Sequence, residues 1–440
     1  MRWFRVAVGL GALGLIAQVA NAEKVPSFVR QTGLTCNQCH MTWTPNPDMT
    51  FTGTKFRLNG YRTPWVAEKI EAGEEGALNG RRLVLGIDGY LSYHMRSLLA
   101  TQSKPASDPA LVEPQANAIG TRPFSSLAWD FTGPITENIG IWTEWYSTQV
   151  QNALASPAEA NQYGVVDNDE FDVKLVFNPG DGGNIIGFGI NNQGRTSPFF
   201  GAFGSGVSSS QGNTVNVSAY TWLKDRAAFV VSLIPGQNEQ DPGGWDYKRM
   251  AYGFTGAVLP MNTDAMWLMF TGAFMVGNDM NPIGNVTGVN ALRTGAKAGV
   301  NYTSYDLGDA KRLLVDMRWG SLDRGHWSWN TATGFSTESE TYSDGAEVKN
   351  TAIATTARIF YDRTYGIILA ANKRLTYSYT EANGTVHDIP SDIGLGATFI
   401  YRMAMNFAWE LAVNPAVQQL RLDQNWRNGW SWGLSWHFLY

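Results

Sequence analysis

Over the last fourteen residues, RNGWSWGLSWHFLY, large apolar side chains occupy every second position. Trp430, Trp432, Leu434, Trp436, Phe438 and Tyr440 share one face of an extended chain, while Ser431, Gly433, Ser435 and His437 share the other. This is a β-strand with one apolar side, and so many aromatics facing water would invite aggregation. The alternation recurs upstream. LVLGIDGYLSY sets Leu83, Leu85, Ile87, Leu91 and Tyr93 against Asp88, Tyr90, Ser92 and His94, and EFDVKLVF sets Phe171, Val173, Leu175 and Phe177 against Asp172 and Lys174. GLGATFIY and MNFAWELAV follow the same rule with smaller residues.

The connections alternate too. Tight turns are expected at GPITEN, NPGDGG, LKDR, LPMNTD, DLGDAK, YDRT and YRMAMN. Between them fall longer polar loops near 96–124, 150–169, 191–213, 235–246, 276–291, 321–350, 377–391 and 414–428. A transmembrane antiparallel β-barrel alternates in this way, with short turns in the periplasm and long loops outside. The tally predicts an all-β barrel of about sixteen strands over residues 81–440, with both of its ends periplasmic. A final strand ending on an aromatic resembles the C-terminal signal of bacterial outer-membrane barrels.

Composition agrees. Charged residues make up 16% of the chain, against about 25% in ordinary soluble domains. Aromatics reach 12%, which suits a wall that shows lipid only alternate side chains. No apolar run after the first twenty-two residues is long enough for a spanning helix. The net charge of -5 argues against nucleic acid as a partner.

The N-terminus reads as an export signal. Arg2 and Arg5 precede an apolar run from Val6 to Ala17, and Ala20-Asn21-Ala22 forms an A-x-A cleavage site, so residues 1–22 are expected to be removed between Ala22 and Glu23. Residues 23–80 break the strand pattern and form a separate small irregular or helical domain. A chain so short needs a covalent or metal staple.

Cys36-Asn37-Gln38-Cys39-His40 can supply one, since the chain has 2 cysteines and both are here. C-x-x-C-H is the attachment sequence of c-type haem: Cys36 and Cys39 would form the thioethers and His40 would be the proximal iron ligand. A thioredoxin-like pair would need a βαβ context. A zinc site would need two further ligands nearby, yet His94, His326, His387 and His437 are distant in sequence. Export favours the haem, one per chain. Its distal ligand stays open. Met41 adjoins His40, Met95 shares the lipid-side parity of Leu91 and Tyr93, His94 has lumen parity, and Met49 is near in sequence but short of reach.

At these residues the chain resembles the fused monohaem cytochrome-porins of the bacterial outer membrane, which include iron oxidases. Pro26, Phe28, Arg30, Gln31, Gly33, Cys36, Cys39 and His40 match the opening motif, and Pro47, Thr50, Gly53, Phe56, Arg57, Gly60 and Tyr61 a second block. Met49 departs from the Leu expected there. The resemblance implies a cytochrome c domain plugging the pore at residues 23–80. It also implies Fe(II):cytochrome oxidoreductase activity: Fe(II) is oxidised outside the cell and single electrons reach a periplasmic c-type cytochrome. Acidic residues in two expected loops, Asp167, Asp169 and Glu170, then Glu338, Glu340, Asp344 and Glu347, suit attraction of a hard cation; solvated loop charge is the better explanation of them. Two other functions fit the same motifs. One is a conduit for a different donor or acceptor, and the other is a diffusion porin with haem as a structural plug.

Overall fold

The computed structural model describes residues 39–40, 49–62, 90–104, 120–136, 138–147, 167–177, 183–191, 216–237, 245–263, 266–280, 308–321, 326–342, 345–362, 364–388, 393–404, 407–420 and 426–439. Cys36, Met41, Asp344 and the cleavage site at Ala22 and Glu23 lie outside them.

The first wall strands are β1 (Tyr90–Lys104), β2 (Gly120–Pro134), β3 (Ile139–Ser147), β4 (Asp167–Phe177), β5 (Asn184–Asn191) and β6 (Asn216–Leu223). They continue through β7 (Ala227–Gln237), β8 (Trp245–Asn262), β9 (Met266–Met280), β10 (Gly308–Ser321), β11 (Trp327–Tyr342) and β12 (Glu347–Tyr361). The last are β13 (Tyr365–Thr380), β14 (Val386–Asp388), β15 (Ile393–Ala404), β16 (Phe407–Leu420) and β17 (Trp426–Leu439). One helix, α1 (Phe51–Leu58), precedes them.

Among the described residues the sheet has seventeen strands. The three-residue β14 lies only along the outer end of β13, so sixteen strands make the wall. Neighbours pair antiparallel, and β17 returns to β1, where His94 meets Leu439 and Lys104 meets Trp430. The sheet therefore closes and has no free edge, the condition for an extended structure to cross a bilayer.

Burial follows the period of two. In β5, Ile186, Phe188 and Ile190 are exposed while Ile185 is buried. In β7, Phe229, Val231 and Leu233 point out while Ala228, Val230 and Ile234 point in. Phe177, Phe254, Phe270, Phe274 and Val315 extend the exposed apolar face around the cylinder. A face of that kind is stable against lipid and not against water. Charged residues turn inward instead: Asp172, Lys174, Asp316, Arg318, Arg358 and Arg402 are all buried.

Three expectations need correction. The stretch 414–428 is largely strand, because β16 runs to Leu420 and β17 starts at Trp426. The stretch 321–350 is not a long loop: β11 and the start of β12 run through it. DLGDAK is not a turn, because β10 begins at its Gly308. Glu338 and Glu340 are accordingly wall residues of β11, and Glu347 opens β12. The physical cause is the makeup of β11. Its outward positions include Thr331, Thr333, Thr337 and Thr341, and its inward ones Ser328, Asn330, Ser336 and Glu340, so the two faces differ too little in polarity to reveal a strand.

Helix α1 follows from local chemistry. The Thr50 hydroxyl accepts from the Gly53 amide at 3.2 Å as an N-cap, and Lys55 and Arg57 complement the dipole of the last turn. Gly60 at φ 69° and Tyr61 at φ 62° then reverse the chain. The second is a strained place for a tyrosine and costs on the order of 1–2 kcal/mol.

Candidate functional site

Residues Met49–Arg62 lie inside the barrel. Phe51 and Leu58 are buried in one cluster with Val176, Ile185, Tyr220, Trp222, Val230, Leu259, Trp267 and Met269, all inward residues of the wall. The Phe51 and Trp267 rings stand 6.0 Å apart. Burying side chains of this size contributes about 1.5–3 kcal/mol each. Partners on β4 and on β10, far apart around the wall, touch the same short segment, which only a position in the lumen permits.

Polar contacts fix its height. The Tyr61 hydroxyl donates to Asp172, which also pairs with Lys174, and both of those wall side chains are fully buried. The Lys174 ammonium lies 5.2 Å over the Tyr61 ring. Arg62 donates to the carbonyls of Thr136 and Ile139 at 3.1 and 3.2 Å, and Lys55 pairs with Asp225 at 2.6 Å. Thr136 and Asp225 belong to the short β2–β3 and β6–β7 turns. The segment therefore sits at the turn end of the lumen, which is the periplasmic end by the asymmetry of turn and loop.

The second half of the cysteine motif is strapped to this plug. Thr50 donates to the Cys39 carbonyl from its amide at 2.9 Å and from its hydroxyl at 3.3 Å. His40 and Met49 form an antiparallel bridge. Gly53 lies under the Cys39 carbonyl so closely that a Cβ there would strike it. Arg318 of β10, held at 3.0 Å by Asp316, donates to the Met49 carbonyl at 3.1 Å and ties the strap to the wall. Cys39 and His40 are half-buried.

Among the described residues the expected iron-attracting carboxylates do not gather into a group that could hold a metal ion. Glu338 points inward and is neutralised by Arg312 at 2.8 Å, and Glu340 is buried beside it in the same strand. Glu347 pairs with Lys349 at 2.8 Å on the outer side. Asp167, Asp169 and Glu170 begin β4, and His94 stands in β1 opposite Ala128. Asp172, Lys174 and Arg318, which anchor the plug, were not singled out from the sequence. Their signal was present in EFDVKLVF and in DMRW, charges at the inward parity of an otherwise apolar strand.

A closed cylinder with an apolar exterior, inward charges and short turns at one end defines an outer-membrane β-barrel. No protein-family model matches the chain, and no curated protein matches it in sequence. Solved structures of similar outline include the outer membrane channel DcaP of Acinetobacter baumannii, at 10% identity over 82% of this chain and 100% of that one, with a TM-score of 0.48. A loop-deletion mutant of OmpT, an outer membrane protein of Vibrio cholerae, matches at 8% identity over 80% and 99% of the two chains, with a TM-score of 0.46. Salmonella typhi OmpF in complex with daunomycin matches at 13% identity over 80% and 98%, with a TM-score of 0.44.

Proposed function

We propose that this barrel is an electron conduit, oxidising Fe(II) at the cell surface and delivering single electrons to a periplasmic c-type cytochrome. The observation that carries the reading is the strap: Cys39 and His40 are fastened by Thr50 and Met49 to a segment that sits at the periplasmic end of the lumen. The donor set suits a c-type haem, since two thiols at a two-residue spacing precede an imidazole. Cys36 and Cys39 would hold it through thioethers and His40 through the iron; the group would supply reversible one-electron transfer.

The chain's own residues do the rest. Thr50 and Gly53 fix the Cys39 carbonyl, and with it the direction of His40. Arg318 and Lys174, each held by a wall carboxylate, anchor the plug from the wall side, and Arg62 ties it to the β2–β3 turn. Met49 is a poor sixth ligand. Partners in an antiparallel bridge project side chains to the same side, so Met49 would be poorly placed to join His40 in holding one group. In the net reaction Fe(II) becomes Fe(III) and the periplasmic cytochrome gains the electron.

Purified full-length protein tests this on a denaturing gel stained for peroxidase and by stopped-flow mixing with Fe(II). A thioether-linked pigment that is reduced by Fe(II) supports the reading, and loss of the pigment in Cys39→Ala ties it to the motif. A pigment that stays ferric overturns iron oxidation and leaves a conduit for another donor. Colourless protein overturns both. A plugged lumen also predicts little conductance in planar bilayers, against the diffusion-porin alternative.

A further inference from the structure

Basic residues on the outer wall are clustered. Among described residues with placed side chains, Lys311 of β10, Lys349 of β12 and Lys373 of β13 are the lysines and arginines that wall strands expose outward. Lys311 and Lys349 both face Ser339 of β11, one from each side, so they share one cross-strand row. Two interstrand spacings separate them, roughly 10 Å. Lys373 stands opposite Ile353, four residues nearer the periplasmic end than Lys349.

Height decides what this cluster meets. Lys311 is ten residues above the periplasmic end of its strand, Lys349 twelve and Lys373 eight. At about 3.3 Å per residue and a tilt near 40°, these positions are about 25, 30 and 20 Å up, where the apolar band of about 25 Å ends. A lysine rooted slightly low extends its stem upward to bring its ammonium to that boundary. Below the row the outer face carries Leu313, Val315, Phe335 and Ile353 between threonines that satisfy one another across β11 and β12. Above it stands a second row, Asp309, Thr341 and Glu347.

We infer that this patch binds the phosphorylated headgroup of a lipid in the outer leaflet. Phosphates lie at the height of the lysine row, and ammonium groups about 10 Å apart can grip one headgroup from two sides. Glu347, one row higher, pairs with Lys349 at 2.8 Å and orients its ammonium at the edge of the patch, while Asp309 beside it suits a divalent cation that bridges neighbouring lipid phosphates. A second copy of the chain is the poorer occupant. Copies related by an axis along the membrane normal bring equal heights together, so lysine row would meet lysine row.

Native mass spectrometry of the full-length protein in detergent, titrated with diphosphoryl lipid A, tests the site. Wild type is expected to retain this lipid and to release the dephosphorylated form, a comparison that needs no variant. Lys311→Gln, Lys349→Gln and Lys373→Gln together should weaken retention about ten-fold, while Lys224→Gln with Arg226→Gln, on a periplasmic turn, should leave it unchanged; heat-modifiable migration checks that each variant is folded. Equal retention of phosphorylated and dephosphorylated lipid, equal retention by the folded triple variant, or a dimer cross-linked through Lys349→Cys would each overturn the proposal.

Discussion

Gly60, just past α1, and Gly140, at the start of β3, lie back to back, so close that a Cβ on Gly140 would collide with the Gly60 backbone. The wall carries no side chain where the backbone of Gly60 presses against it. Positive φ at Gly60 makes the glycine there doubly apt.

Gly140→Leu should therefore push the plug out of register. Expected outcomes are measurable single-channel conductance in planar bilayers and a loss of about 1–3 kcal/mol in urea unfolding, the usual cost of overpacking. Gly272→Ala is the control, since a Cβ there meets nothing within 4 Å, and it should conduct like wild type.

The Tyr61–Asp172–Lys174 group gives a sharper test of energetics. Asp172→Ala leaves the Lys174 ammonium without its paired carboxylate in a fully buried place and should cost about 3–5 kcal/mol. Replacing Asp172 and Lys174 together by leucine should cost less than Asp172→Ala alone. The comparison of urea midpoints decides it; a double variant weaker than the single one would mean that the pair does more than cancel its own charge.

Met49→Leu should leave the visible spectrum and redox potential of the purified protein unchanged, because its bridge partner is His40. His40→Ala should alter both. A spectral shift in Met49→Leu would show that the methionine reaches the iron after all.

Epitope insertion separates wall from loop. Placed after Thr333, in the middle of β11, a tag should abolish the heat-resistant fold; placed between Tyr342 and Gly345, it should be tolerated and accessible to antibody on intact cells. Surface exposure of a tag at Thr333 would restore the loop that the sequence suggested.

How far the fold was legible depended on contrast between the two faces of a strand. β17 and β4 declare themselves because Trp430, Trp432 and Trp436, or Leu175 and Phe177, oppose serines or charges. β11 does not, because Thr331, Thr333, Thr337, Ser339 and Thr341 interrupt the apolar run of Trp327, Trp329 and Phe335 on its lipid side. Threonines are tolerable there since they satisfy one another: Thr333 meets Thr355 at 2.9 Å and Thr337 meets Thr351 at 3.3 Å, across to β12. Those cross-strand pairs are invisible until the register is known. Likewise, Asp309 and Lys311 made DLGDAK read as a turn, when they are the outer rim of β10. At the plug, the cysteine motif announced the chemistry. The strap from Thr50 to Cys39 and the reach of Arg318 to Met49 span 11 and 269 residues, and spacing alone could not foretell them.

The pairing of β1 with β17 also joins the two ends of the barrel sequence. Met49–Arg62 precedes the first strand of that seam, and the wall around it is complete only once the aromatic-rich β17 is present. A chain cut short before β17 would leave β1 with an unpaired border, the kind of surface that recruits other chains.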